Sequence, residues 1–153
     1  MQEILHHLKY KGHQDLGVQL GRMMGESLFH SGRFEPDALV PLPLHPARER
    51  QRGYNQSRLL CDGLAEVLHL PVWADVIQRP LFTQTQTRKG RVERWKNMEG
   101  RFALSHESAL QDKHILLVDD VITTGATLEA CGQELLRVPG LVLSVAALCY
   151  ADR

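Results

Sequence analysis

Hydrophobic residues recur at helical spacing in two parts of the chain. Up to residue 30 the apolar positions predict one amphipathic helix, or two helices broken near Gly12. The same spacing returns over residues 55–68, and Pro71 is expected to stop that helix. Both segments alternate an apolar face with a polar one, which is typical of helices that pack against a core.

Shorter apolar runs predict the strands. Residues 114–119 form a continuous hydrophobic run of the kind buried on both faces of a parallel sheet. A helix follows up to Pro139–Gly140, and residues 141–150 predict a further strand. This strand–helix–strand order predicts an α/β fold with a parallel sheet.

Two other segments are less regular. Residues 38–44 predict a strand with a distorted end or at a sheet edge. Pro41 and Pro43 each lack the backbone N–H that a strand residue donates to the neighbouring strand. Residues 72–80 predict a short strand, and the polar, basic stretch that follows, up to Phe102, predicts a long loop. A loop of this length in a compact domain is usually functional or mobile.

Composition narrows the function classes. The chain has 153 residues, which predicts a single domain over residues 1–153, and its 18 basic and 18 acidic residues leave no net charge. Any anion site must therefore be local. No apolar run is long enough to insert in a membrane, and the three cysteines, which lack CxxC spacing, predict reduced thiols in the cytoplasm.

The segment "VDDVITTGAT" contains the residues that most clearly indicate a ligand site. It places Asp119 and Asp120 after the best strand and a Thr/Gly turn before the next helix. Ligands of open parallel sheets bind beyond such strand ends, where a helix start offers free N–H groups to an anion. Gly125 lets the backbone approach a phosphate, and hydroxyls can donate to it from Thr123, Thr124 and Thr127.

The paired carboxylates would repel that phosphate, so they need another partner. They can accept hydrogen bonds from sugar hydroxyls of the same ligand, or hold Mg²⁺, directly or through ligand or water. A ribose phosphate satisfies both halves of the segment. Which carboxylate takes which task stays open.

Other interpretations of the segment are weaker. A Thr/Gly turn alone can be a helix cap, and adjacent acids also occur as phosphoacceptors in receiver domains. The chain has no G-x-x-x-x-G-K-[ST] motif and no G-x-G-x-x-G after a strand, which argues against a P-loop NTPase and a Rossmann dinucleotide site.

The segment "LLVDDVITTGAT" closely resembles the phosphoribosyl pyrophosphate (PRPP) motif of the type I phosphoribosyltransferases. The resemblance implies that fold, a parallel sheet flanked by helices with a flexible hood loop. It also implies Mg²⁺ as cofactor and PRPP contacts from eight residues: Asp119, Asp120, Val121, Thr123, Thr124, Gly125, Ala126 and Thr127.

Residues 39–57 and 83–102, with "LKYKG" near the start, resemble the ComF/GntX family, relatives of competence protein F. The likeness implies a pyrophosphate-binding or loop role for Pro43, Leu44, His45, Arg52, Gly53, Tyr54 and Asn55. It implies a hood over residues 82–97 in which Arg94 takes part. The four-cysteine zinc module with which many members begin is not found in this sequence.

The resemblance implies a PRPP-binding protein that acts in DNA uptake or in the use of DNA as a nutrient. Transfer of the phosphoribosyl group would make it a glycosyltransferase whose acceptor and catalytic residues stay unknown. The alternatives are a nucleobase or amido phosphoribosyltransferase and a non-enzymatic factor that binds single-stranded DNA. Partners would be PRPP, single-stranded DNA and other competence proteins, and the oligomeric state stays open, with a homodimer as one option.

Overall fold

The computed structural model describes residues 13–80 and 102–151. Its helices are α1 (Gln14–Ser31), α2 (Pro46–Arg52), α3 (Gln56–Leu68), α4 (Glu107–Leu110) and α5 (Ala126–Leu135). Its strands are β1 (Ala38–Pro41), β2 (Ile77–Gln78), β3 (Ala103–Leu104), β4 (His114–Ile122) and β5 (Val142–Tyr150). The predicted hood with Arg94, and "LKYKG", lie outside the described residues.

The predicted parallel sheet is confirmed. Three strands lie in the order β1–β4–β5, and both neighbouring pairs are parallel. Strand β4 is longer than residues 114–119, because Val121 and Ile122 still pair with Cys149 and Tyr150 of β5. The two carboxylates therefore lie in the second half of the strand, as its sixth and seventh residues, where β5 continues to pair with β4.

Strand β1 ends as its prolines predict. The last ladder bond runs from the Leu42 N–H to the Val118 carbonyl at 2.8 Å, after which the chain turns away from the sheet. On its other side, Leu39 forms a parallel bridge with Val72. The expected strand at 72–80 is thus split between this bridge and β2, which pairs with β3 in a separate antiparallel ribbon.

Alternate residues of β4 face two hydrophobic clusters. Ile115 and Leu117 pack with residues of α5, whereas Leu116 and Val118 pack with residues of α3 and against α1. All four are at most 1% exposed, as expected for a strand covered on both faces. The sheet is therefore held rigidly on both sides, and its carboxyl end is a fixed platform.

Helix α2 was not predicted, because its seven residues include no buried one and hence no apolar period. Its signals are local. The His45 ring accepts a hydrogen bond from the Ala47 N–H, proline stands in the first turn, and Gly53 ends the helix with φ +86°. None of the described helices has the length and apolar character needed to cross a membrane.

Candidate functional site

A cavity of about 230 Å³ opens at the carboxyl ends of β1 and β4. Nine of the residues predicted for ligand binding line it: Pro43, Leu44, Arg52, Asn55, Asp119, Asp120, Val121, Thr123 and Thr127. The fold thus brings the acidic segment and the basic segment to one place. Arg94 lies outside the described residues.

The first carboxylate of the pair is held from two directions. One oxygen of Asp119 accepts hydrogen bonds from the Asp120 N–H at 2.8 Å and from the Ser57 hydroxyl at 3.3 Å. Burial, and to a lesser extent the neighbouring charge of Asp120, raise the pKa of Asp119 to about 7. Near neutral pH this carboxyl is poised between its two forms, and a cation beside it would favour the ionised one.

The second carboxylate bonds to the backbone that follows it. The Oδ1 atom of Asp120 accepts a hydrogen bond from the Val121 N–H at 2.9 Å. Asp119 accepts from the next N–H along the chain in the same way. The two side chains are therefore fixed by their own strand and project at its end.

The turn after β4 forms the other wall. Gly125 precedes α5 with φ +78°, and a Cβ atom added there would meet no heavy atom within 4 Å. The Thr124 hydroxyl accepts a hydrogen bond from the Ala126 N–H at 3.4 Å. Space above Gly125, the start of a ten-residue helix, and the hydroxyls of Thr123 and Thr127 at the cavity suit a phosphate group.

Three arginines supply positive charge to the cavity. Arg48 and Arg52 come from α2, and Arg79 comes from the end of the β2 segment. The Arg79 guanidinium lies 5.5 Å from the centre of the Phe102 ring, a cation–π contact. The cavity is thus lined by both signs of charge, three arginines and two aspartates.

A buried thiol lies under the cavity. Burial raises the pKa of Cys131 to about 12, and the nearby charges of Asp119 and Arg79 act on it in opposite directions. Such a thiol stays protonated at neutral pH. Cys131 therefore belongs to the core and supplies no nucleophile.

Several predicted residues act by shaping the loop and do not line the cavity. His45 caps α2 through its ring nitrogen, and Gly53 supplies the left-handed turn at the end of that helix. Tyr54 is 8% exposed, and burial raises its pKa. Gly125 and Ala126 shape the start of α5. These positions set the path of the chain around the ligand space.

Asn55 joins the two sides of the loop. Its Oδ1 atom accepts from the Ser57 N–H at 3.0 Å and so caps α3, while its Nδ2 atom donates to the Leu42 carbonyl at 3.0 Å. The end of β1 and the start of α3 are thereby fixed to each other. The sequence predicts Asn55 at the site but gives no sign of these two hydrogen bonds.

Five lining residues were absent from the predicted set: Leu42, Arg48, Gln56, Ser57 and Arg79. Gln56 and Ser57 could have been predicted from the sequence. Asn55 is a good N-cap, so the two residues that follow it form the first turn of a helix that begins at the predicted site. Arg79 carries no such signal. It reaches the cavity only through the tertiary fold.

The acidic pair fits a magnesium ion that is shared with a ligand. Among residues 13–80 and 102–151, no group of three or more His, Cys, Asp or Glu side chains could hold a metal by itself. Magnesium commonly binds one or two carboxylates and completes its shell with substrate phosphates and water. Asp119 and Asp120 would supply the protein's share of such a shell.

Comparison with known proteins gives the family. The model of the phosphoribosyl transferase domain matches residues 59–153. The chain belongs to this family. The matched range contains both carboxylates and the Thr/Gly turn, and the cavity residues before position 59 lie outside it.

Relatives extend the likeness over the rest of the chain. DNA utilization protein YhgH of Escherichia coli is 33% identical over 95% of this phosphoribosyl transferase chain, which covers 65% of that protein. Competence protein F of Haemophilus influenzae is 36% identical over 69% of the chain and 46% of its own length. The predicted resemblance to ComF-like proteins is confirmed, although the chain spans less than two thirds of these relatives.

The fold of this chain is also similar to that of solved structures. Glutamine PRPP amidotransferase of Bacillus subtilis, complexed with ADP and GMP, superposes with a TM-score of 0.59 at 16% identity. The superposition covers 86% of this chain and 26% of the amidotransferase. The predicted type I phosphoribosyltransferase fold is thereby confirmed.

Proposed function

We propose that this protein binds PRPP together with Mg²⁺ and acts in the cytoplasm as a ComF-type phosphoribosyltransferase-like protein in DNA uptake or utilisation. One observation carries the proposal. A single cavity brings together two carboxylates, two threonines of the segment after β4 and three arginines. PRPP contains a ribose diol, a 5′-phosphate and a pyrophosphate. The carboxylates can accept hydrogen bonds from the diol, the threonines can donate to the 5′-phosphate, and the arginines can bind the pyrophosphate.

We assign one part of the ligand to each group of lining residues. The ribose hydroxyls donate to Asp119 and Asp120, and the 5′-phosphate accepts from the hydroxyls and N–H groups of residues 123–127. The pyrophosphate then lies toward the arginines of α2. Bound Mg²⁺ would neutralise phosphate charge, and the arginines would stabilise the negative charge on departing pyrophosphate.

Calorimetric titration with PRPP in Mg²⁺ buffer tests the assignment. We expect binding by the natural protein and a loss of at least roughly tenfold in affinity after Asp119→Ala/Asp120→Ala, because the diol and the metal both lose acceptors. The matched control, Asp15→Ala/Glu26→Ala, removes two exposed carboxylates of α1 and should leave binding unchanged. Equal affinity in all three proteins would refute the site.

A second cavity favours transfer to a small acceptor as the second candidate function. It has a volume of about 380 Å³ and shares Pro43, Leu44 and Asn55 with the first. In a transfer, the acceptor nitrogen would form a bond to ribose C1 as the bond from C1 to pyrophosphate breaks. A screen of nucleobases for PRPP-dependent pyrophosphate release tests this, and sustained turnover with one base would rank the enzyme first.

The DNA role draws support from what the relatives are named for and from the cavity arginines. Binding of single-stranded DNA through phosphate contacts weakens steeply as salt rises. A mobility-shift assay at two salt concentrations, with PRPP as competitor, tests whether both ligands use the arginines. Displacement of DNA by PRPP supports a shared surface, whereas undiminished DNA binding places DNA elsewhere.

A further inference from the structure

One buried side chain of the cavity has an unusual hydrogen-bonding state. Gln56, the first residue of α3, is 2% exposed. Its Oε1 atom accepts from the Arg52 guanidinium at 3.1 Å. Within the described part of the chain, its Nε2 atom is buried and has no hydrogen-bond partner.

An unpartnered buried amide N–H costs free energy that an apolar side chain of similar size would avoid. The amide cannot turn over to relieve the cost, because a guanidinium only donates and must face the oxygen. The one hydrogen bond that the Gln56 side chain makes in the described structure is the one to Arg52. This hydrogen bond therefore holds the Arg52 side chain in position.

The next residue holds an acidic side chain of the cavity. The Ser57 hydroxyl donates to Asp119 at 3.3 Å, so adjacent residues of α3 contact the cation and the carboxylate. Asn55 fixes the same helix start to the end of β1. The first two residues of α3 thus contact both a cationic and an acidic side chain of the cavity.

We propose that Gln56 is a positioning residue that holds the Arg52 guanidinium where the pyrophosphate of the ligand lies. The inference rests on the proposed function and deepens it. Gln56 acts on one end of the ligand only. It follows that its loss weakens the pyrophosphate contact and leaves the ribose phosphate contact in place.

Substitution Gln56→Met tests the inference, because methionine has a similar length and cannot accept the guanidinium hydrogen bond. Affinity for PRPP with Mg²⁺ should fall roughly five- to tenfold. Affinity for ribose 5-phosphate, which lacks the pyrophosphate, should not change. The melting temperature should stay equal or rise, since the orphan donor is removed.

A double-mutant cycle shows whether the effect passes through Arg52. In an Arg52→Ala background, Gln56→Met should have no further effect on PRPP affinity. The matched control is Gln51→Met on exposed α2, which should leave both affinities unchanged. Should Gln56→Met fail to fold, Arg52→Ala alone must still weaken PRPP and spare ribose 5-phosphate.

Three results would overturn the inference. The first is unchanged PRPP affinity in Gln56→Met, and the second is an equal loss for both ligands with a lower melting temperature, the mark of a purely structural residue. The third is an additive loss in the double mutant. If the natural protein binds neither ligand, the proposed function itself fails, and this inference falls with it.

Discussion

At the scale of single residues, the site depends on side chains that bond to backbone. Asn55 uses both ends of its amide, one to cap α3 and one to hold the carbonyl at the end of β1. His45 does part of the same work for α2. The sequence predicts Asn55 and His45 as ligand contacts. Their side chains thus also hold the backbone of the loop from which other residues line the cavity.

Substitutions of Asn55 separate its two hydrogen bonds. Asn55→Asp keeps the cap and loses the donor, so we expect a decrease in the free energy of unfolding of about 1 kcal/mol. Asn55→Ala loses both bonds and should cost about 2–3 kcal/mol. Urea unfolding measures both, and equal losses would show that the bond to Leu42 contributes nothing.

The pKa of Asp119 makes stability depend on pH. It lies near 7 in the folded protein, above the value of about 3.9 for an unfolded aspartate. The folded state therefore binds this proton more tightly, and the free energy of unfolding falls as pH rises from about 4 to 7.

Asp119→Asn removes this dependence. Without ligand, the variant should exceed the natural protein in stability at pH 8 by something on the order of 2 kcal/mol, and the difference should vanish near pH 4. Thermal or urea unfolding at both pH values measures it. A natural protein that is the more stable of the two at pH 8 would contradict the buried, destabilised carboxylate.

At the scale of elements, helices α1 and α3 approach until backbone touches backbone. A Cβ atom on Gly63 would lie 2.0 Å from the Val18 carbonyl oxygen, and one on Gly21 would lie 2.2 Å from that of Leu60. Neither helix can move away without opening the cluster around Leu60 and Leu64. The crossing holds α3, and with it the cavity residues at its start.

Gly63→Ala should therefore lower the free energy of unfolding by about 2–3 kcal/mol, despite the better helix propensity of alanine. The matched control is Gly132→Ala in α5, whose nearest obstacle is the movable end of the Leu143 side chain at 3.1 Å. That variant should be neutral or up to about 1 kcal/mol more stable. Denaturant unfolding of both decides, and equal effects would refute the close crossing.

The sequence predicts elements well where burial is periodic or continuous. The run of β4 and the apolar face of α3 are examples, because each is buried in a regular way. The run of β5 is continuous in sequence, although none of its residues is fully buried. Helix α2 and strand β3 escape prediction, since short elements with no buried residue leave no period to detect. At the site, Asp119 to Thr127 is contiguous and readable, whereas Arg79 arrives from a distant segment.

At the scale of the whole molecule, ligand binding should stabilise the fold. With PRPP and Mg²⁺ at about 100 times the dissociation constant, the free energy of unfolding should rise by about 2.7 kcal/mol. For a chain of this size the melting temperature should rise by roughly 5–10 °C. Differential scanning fluorimetry measures the shift.

Removal of the metal should reverse most of that shift. EDTA added with PRPP leaves the phosphates without their counter-ion, so the gain in melting temperature should shrink to a small part of its value. EDTA alone should have no effect on the protein without PRPP. An undiminished shift in EDTA would mean that the carboxylates bind the ribose without a metal.

Apart from Arg79, the cavity is lined by two stretches of chain, which meet at the contact between Ser57 and Asp119, 62 positions apart. The family match begins at residue 59 and so contains the acidic stretch and excludes the arginines of α2. In the proposed site, the earlier stretch contacts the pyrophosphate and the later stretch contacts the ribose phosphate. Substitutions in one stretch should then change the affinity for one part of the ligand and leave the affinity for the other part unchanged.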